Sequence, residues 1–77
     1  MTGPAAAPLD LRGTPCPLNF VRTRLALERL AAGERLVVWL DAGEPDRQVA
    51  EGIAAAGHGV ERQATSDGAV QLTITRA

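Results

Sequence analysis

The hydrophobic period changes several times along the chain, and each change marks an element. Leu9-Asp10-Leu11 alternates apolar and polar, the period-two pattern of a short strand. Residues 18–30 switch to helical spacing, with Phe20, Thr23, Leu27 and Leu30 on one face and Ala26 and Ala31 beside them. Leu18, Val21 and Leu25 form a second apolar stripe on another side of that helix. One face cannot hold both stripes, so the second either packs on another helix or stays open for a partner. Residues 36–40, Leu-Val-Val-Trp-Leu, are a continuous apolar run of strand length, as in a central strand buried on both faces or one flanked closely on either side. Pro45 opens a second helix, in which Val49, Gly52, Ile53 and Ala56 face one way. Residues 58–64 predict a third strand, and Val70, Leu72 and Ile74 alternate with Gln71, Thr73 and Thr75 in a fourth.

Turn residues separate these segments. Gly13, Pro15 and Pro17 precede the first helix, and Pro17 suits its first position, where a missing N–H costs nothing. Gly33 is placed to cap the end of that helix in the left-handed region, and Gly57 closes the second. Ser66-Asp67-Gly68 joins the last two strands as a hairpin. The order is β-α-β-α-β-β. Its simplest packing is a two-layer α/β sandwich, two helices on one face of a four-stranded mixed sheet. The first two strands, joined through a helix, are expected to be parallel by a right-handed crossover. Residues 1–8, rich in Ala, Pro and Gly, predict a disordered tail, and residues 9–77 a single domain.

Composition narrows the chemistry. A single Cys and a single His exclude an intrachain disulfide and the usual zinc spacings, so no metal site and no cofactor is expected. The net charge is −1, without the basic footprint of a nucleic-acid binder, so no direct nucleic-acid binding is expected. No stretch approaches the ~20 apolar residues of a membrane span, and residues 1–8 lack the charged start and apolar run of a signal peptide. These features predict a cytoplasmic protein without membrane contact. A chain of 77 residues has a thin core, so its chemistry must be exposed or shared with a partner. Phe20 and Trp39, the only aromatic residues, are expected in that core.

The candidate reactive residue is Cys16, between Pro15 and Pro17 at the start of the first helix. Backbone N–H groups there have no carbonyl partner, and together with the helix dipole they favour a thiolate. With Cys16 as N-cap and Pro17 as first helical residue, the nearest free donors belong to Leu18 and Asn19. Arg12 is near enough in sequence to add positive charge. The alternative is a buried cysteine acting as a small hydrophobe, the commoner fate of a lone thiol.

The Leu9-Asp10-Leu11-Arg12-Gly13 lead-in, Cys16-Pro17, the helix with its Ala-Gly-Glu turn and the Gly57-His58 pair resemble the TusA/SirA-like sulfur carrier family across residues 9–77. The resemblance implies strand order 1-2-4-3 with the fourth strand antiparallel, and a cysteine that carries sulfur as a persulfide. It implies a sulfur donor, a cysteine desulfurase or related sulfurtransferase, and an acceptor protein in a relay leading to tRNA thiolation, molybdenum cofactor or sulfur oxidation. Cys16 matches the carrier cysteine and Pro17 the first motif proline. The second motif proline is Asn19 here, and an acidic residue common in the second helix is Gln48. Asn19 has an N–H that proline lacks, and is expected to offer it to the sulfur.

Arg12, Gly13, Pro17, Leu18 and Asn19 are therefore the expected supports of Cys16, with Leu18, Val21 and Leu25 the docking candidates. His58, at a helix-to-strand turn without a triad partner, is expected to be structural. Arg22, Arg24 and Arg29 spread around the helix as a solvated surface, and Asp41 and Glu44 are expected as turn and helix-start residues. The competing reading keeps the sandwich as a non-catalytic regulatory or interaction module with a structural cysteine. A redox sensor is a weaker third, since the chain has no resolving cysteine.

Overall fold

The computed structural model describes residues 8–77; the tail predicted for residues 1–8 lies outside them except for Pro8. The elements are β1 (Leu9–Asp10), α1 (Leu18–Glu28), β2 (Arg35–Asp41), α2 (Glu44–Ala55), β3 (Gly59–Ala64) and β4 (Ala69–Thr75). They form one four-stranded sheet in the order β1-β2-β4-β3. β1 pairs with β2 in parallel, with Leu9 opposite Val38, whereas β4 is antiparallel to both neighbours. The expected architecture and strand order are present.

Strand alternation decides what the sheet buries. Leu36, Val38 and Leu40 of β2 and Val70, Leu72 and Ile74 of β4 point into the core. There they meet Leu27 and Leu30 from the first helical segment, Val49 and Ile53 from α2, and Leu11 from the loop after β1. The other face has no helix on it. Val37 and Trp39 are half-buried there, and Trp39 Nε1 donates to Oε1 of its cross-strand neighbour Gln71 at 3.2 Å. The apolar run of residues 36–40 is therefore flanked on either side, by β1 and β4, but buried on one face only, and Trp39 is not a core residue. Cross-strand and loop neighbours, rather than a second layer, shield its outer side chains.

The buried side of α1 is the expected face of Thr23 and Leu27, which Leu30 continues past the helix end, with Asn19 added to it and Phe20 at its edge. The buried residues are Asn19, Thr23 and Leu27, while Phe20 is half-buried and Leu18, Val21 and Leu25 are exposed. Thr23 tolerates burial because its hydroxyl donates to the Asn19 carbonyl at 2.9 Å, and Asn19 Oδ1 accepts from Phe20 N–H at 2.7 Å. Asn19 Nδ2 has no partner. α1 ends at Glu28, so Gly33 is not its cap. With φ of 87°, Gly33 turns the chain into β2, and its N–H donates to the Arg76 carbonyl at 2.8 Å.

α2 is pinned at its N-terminus by Asp46, which is almost fully buried. Its Oδ2 accepts the Gly43 N–H at 2.6 Å, and its Oδ1 takes the Arg62 Nε–H from β3 at 2.8 Å, with a second bond from Arg62 Nη2. The charge is compensated twice, which is what a buried carboxylate requires.

Candidate functional site

The site is built on the loop from Leu11 to Pro17, which carries the chain from the sheet edge to α1. Two anchors fix its start. Leu11 buries its side chain and donates its N–H to the Trp39 carbonyl at 2.8 Å, continuing the parallel ladder one residue past β1. Gly13, at φ of 80°, turns its N–H toward Asp41, whose Oδ2 accepts it at 2.7 Å. The positive φ makes glycine the residue suited to this position, and the bond ties the loop to the end of β2.

Cys16 follows on the surface as a free, exposed thiol. The Cys16–Pro17 peptide bond is cis. Pro17, rather than Cys16, occupies the N-cap position, and its carbonyl accepts the Val21 N–H at 3.0 Å. Leu18 is thus the first helical residue. The Asn19 N–H donates to the Pro15 carbonyl at 3.1 Å, so it is not the free donor to sulfur expected of it. Asn19 instead closes the turn from Pro15 and is itself buried.

The partner of the sulfur comes from α2. Cys16 Sγ donates to Gln48 Oε1 at 2.8 Å, and Gln48 Nε2 donates in turn to Glu44 Oε1, one helical turn earlier, at 3.3 Å. The residue distinguished in the sequence as a neutral replacement for an acidic one is thus in contact with the thiol. Nothing in the local sequence pairs positions 16 and 48.

Arg12 is committed elsewhere. Its Nε and Nη2 donate to the two carboxylate oxygens of Asp10 at 2.9 and 2.8 Å, its Nη1 to Asp67 Oδ2 at 3.1 Å, and its guanidinium carbon lies 5.6 Å from the Trp39 ring centroid. The side-chain bonds from Arg12, and then its backbone N–H, hold the Asp10 carboxyl down to about 2. Asp10 in turn raises the Arg12 guanidinium above its ordinary value. Asp67 is lowered first by the Thr65 hydroxyl and then by the Ala69 N–H. Arg12 therefore staples the start of the loop to the β3–β4 turn, and its bonds lead away from the thiol.

With Trp39, Thr65, Asp67 and Gln71, Arg12 lines a depression of about 320 Å³ that does not include Cys16. His58 is part of neither feature; its Nδ1 accepts the Ala77 N–H at 3.1 Å. No cluster of three or more His, Cys, Asp or Glu able to hold a metal occurs among the described residues. No helix among them is long and apolar enough to cross a membrane.

A family model described as Sulfurtransferase TusA matches residues 7–76, a span holding the Cys16 loop and every element of the sandwich. The chain belongs to the TusA family. Two curated relatives, from Archaeoglobus fulgidus and Thermotoga maritima, both bear the name "Putative sulfur carrier protein". They are 40% and 38% identical over 52 residues, 68% of this chain in each case. The match spans 59% and 66% of the relatives' own lengths. Among solved structures, a SirA-like protein from Desulfitobacterium hafniense superposes with a TM-score of 0.79 at 25% identity, covering 87% of this chain and 92% of that one. Within this TusA-family sandwich, Cys16 meets Gln48 where the loop from Leu11 to Pro17 enters α1.

Proposed function

We propose that this TusA-family chain is a sulfur carrier that holds sulfur as a persulfide on Cys16. The observation that carries the reading is the free, exposed thiol immediately before the N-cap of α1. A structural cysteine, as a regulatory or interaction module would have, belongs in the interior, and Cys16 is outside it. The Cys16 thiolate attacks the terminal sulfur of a donor persulfide. The donor's S–S bond breaks as the new one forms on Cys16, and the donor leaves as a thiolate. The proton lost by Cys16 goes to solvent and the donor thiolate takes one up, so no outside oxidant is needed. Delivery to an acceptor repeats the exchange in the opposite sense.

The donor in this reading is a cysteine desulfurase or a related sulfur-donor protein, and the acceptor is a second protein of a reducing cytoplasmic relay, of which tRNA thiolation is one candidate end. Leu18, Val21 and Leu25, 49%, 43% and 55% exposed, provide the docking face beside the sulfur. Gly13, Arg12, Pro17 and Asn19 hold the loop that presents it.

Incubation of the intact chain with a cysteine desulfurase and cysteine, followed by mass spectrometry, tests this. The expected product is heavier by one sulfur atom, about 32 Da, and Cys16→Ala does not form it. No adduct with several donor proteins would overturn the carrier reading and favour the interaction module.

A further inference from the structure

We propose that Gln48 is a positioning residue for the Cys16 sulfur, whose amide clasps the unloaded thiol against α2 and releases it once the sulfur is ionised or loaded. The proposal rests on the carrier reading but is argued from a separate contact.

The orientation of the amide is set by its Glu44 end. A carboxylate only accepts hydrogen bonds, so Glu44 Oε1 at 3.3 Å requires the Nε2 end of Gln48. That leaves Oε1 turned toward Cys16, 2.8 Å from Sγ, where it accepts the S–H. The arrangement suits a thiol and nothing else. A thiolate has no proton to donate, and a persulfide anion carries its charge one S–S bond further out. Either places lone pairs against lone pairs at Oε1.

Two responses relieve that repulsion. The amide turns over, giving up Glu44 to present Nε2–H to the anion, or the sulfur swings away from α2. Both free the sulfur from its resting contact when it becomes reactive or charged, and the proton it loses goes to solvent. A partner therefore meets the unloaded and loaded carrier in different poses.

The charged groups around this contact are few. On α2 they are Glu44, which acts through the amide, Asp46, which is held by Arg62, and the exposed Arg47 and Glu51. On the loop, Arg12 is held by Asp10 and Asp67. The first turn of α1 has no acidic residue.

The test is the rate of iodoacetamide alkylation against pH for the free, full chain. It compares wild type, Gln48→Glu and Glu44→Gln. A fixed acceptor favours the protonated thiol, and a negative one favours it more. Gln48→Glu should therefore move the midpoint up by about half a pH unit or more. Glu44→Gln frees the amide to turn over and should move it down. In amide-resolved NMR, the Gln48 side-chain NH2 resonances should shift with the wild-type alkylation midpoint and stay still in Cys16→Ala.

Coincident midpoints in all three proteins, or Gln48 resonances that ignore Cys16, would overturn the role. The measurement uses no sulfur donor, so its outcome is separable from the carrier reading. A chain that shows these shifts but never accepts sulfur loses the carrier reading. One that loads sulfur with unmoved midpoints loses only the role of Gln48.

Discussion

The ring of Phe20 occupies the space that any side chain at Gly52 would need: a Cβ there would lie 2.6 Å from Phe20 Cε1 and within 3.3 Å of two further ring atoms. α1 and α2 therefore touch through a ring set against bare backbone. Gly52 weakens α2 as a helix by about 1 kcal/mol relative to Ala, and the close approach is what it provides in return. Overpacking a filled contact costs about 1–3 kcal/mol. Gly52→Ala is accordingly expected to destabilise by about 1 kcal/mol net, despite its better helix propensity. Phe20→Leu in the same chain should recover part of the loss. Urea unfolding of both single variants, the double variant and the wild type measures the coupling; strict additivity would show that the ring yields freely.

The bond from Gly13 N–H to Asp41 Oδ2 makes a different expectation, confined to the loop. Asp41→Ala removes the acceptor of an amide that no other element supplies. Hydrogen exchange at Gly13 should quicken about tenfold, the equivalent of one lost net hydrogen bond, while the amides of β2 keep their protection. An unchanged Gly13 rate would mean the bond to Asp41 does not hold the loop.

Asp10 gives a pH dependence with a defined sign. Its carboxyl is held at about 2, below its usual 3.8, first by the Arg12 side chain. A depressed folded value means that the contribution is complete above the unfolded value. It is lost as pH falls through the folded one. The Arg12 staple should thus stay intact at pH 5 and weaken between pH 4 and 2, a window set by those two values. Carboxyl-carbon NMR of the wild type should show Asp10 titrating near the lower value, and Arg12→Gln should return it toward 3.8. A wild-type Asp10 that already titrates at its usual value would remove the staple from consideration.

Leu25 separates docking from folding. Its side chain is 55% exposed, so Leu25→Ser should change unfolding free energy by less than about 0.5 kcal/mol. If the outer face of α1 receives the partner, the same variant should slow sulfur loading of Cys16 about tenfold, in the range of a moderate interface residue. Unchanged loading kinetics would place the docking surface elsewhere.

Much of the architecture was legible because its signals are local. The alternation of β4, the turn at Ser66-Asp67-Gly68 and the two helical periods correspond to elements of the fold. The resemblance supplied the strand order that local pattern could not. Two expectations of burial, Trp39 in the core and Phe20 fully inside, failed for one physical reason. An apolar run such as residues 36–40 looks alike whether its second face meets a helix or only half-covered neighbours. Likewise, hydropathy ranks Phe20 above Asn19 for burial, yet Asn19 goes inside because short-range hydrogen bonds satisfy most of its polar groups. The exposure of Cys16 was legible from its setting between two prolines. Its partner Gln48 and the loop anchor Asp41 were not, since neither position carries a local sign of a contact formed across the fold.

Those anchors have a consequence for when the site comes into being. Gly13, Cys16 and Arg12 are bonded to residues 28, 32 and 55 positions further along the chain. During synthesis the cysteine therefore leaves the ribosome well before any of the three side chains that place it. Until Asp41, Gln48 and Asp67 have followed, the thiol sits on a segment with no fixed pose. Contacts of such long range form late, after the loop entropy between them has been overcome. The geometry around the sulfur is thus a property of the assembled domain and of no shorter piece of it.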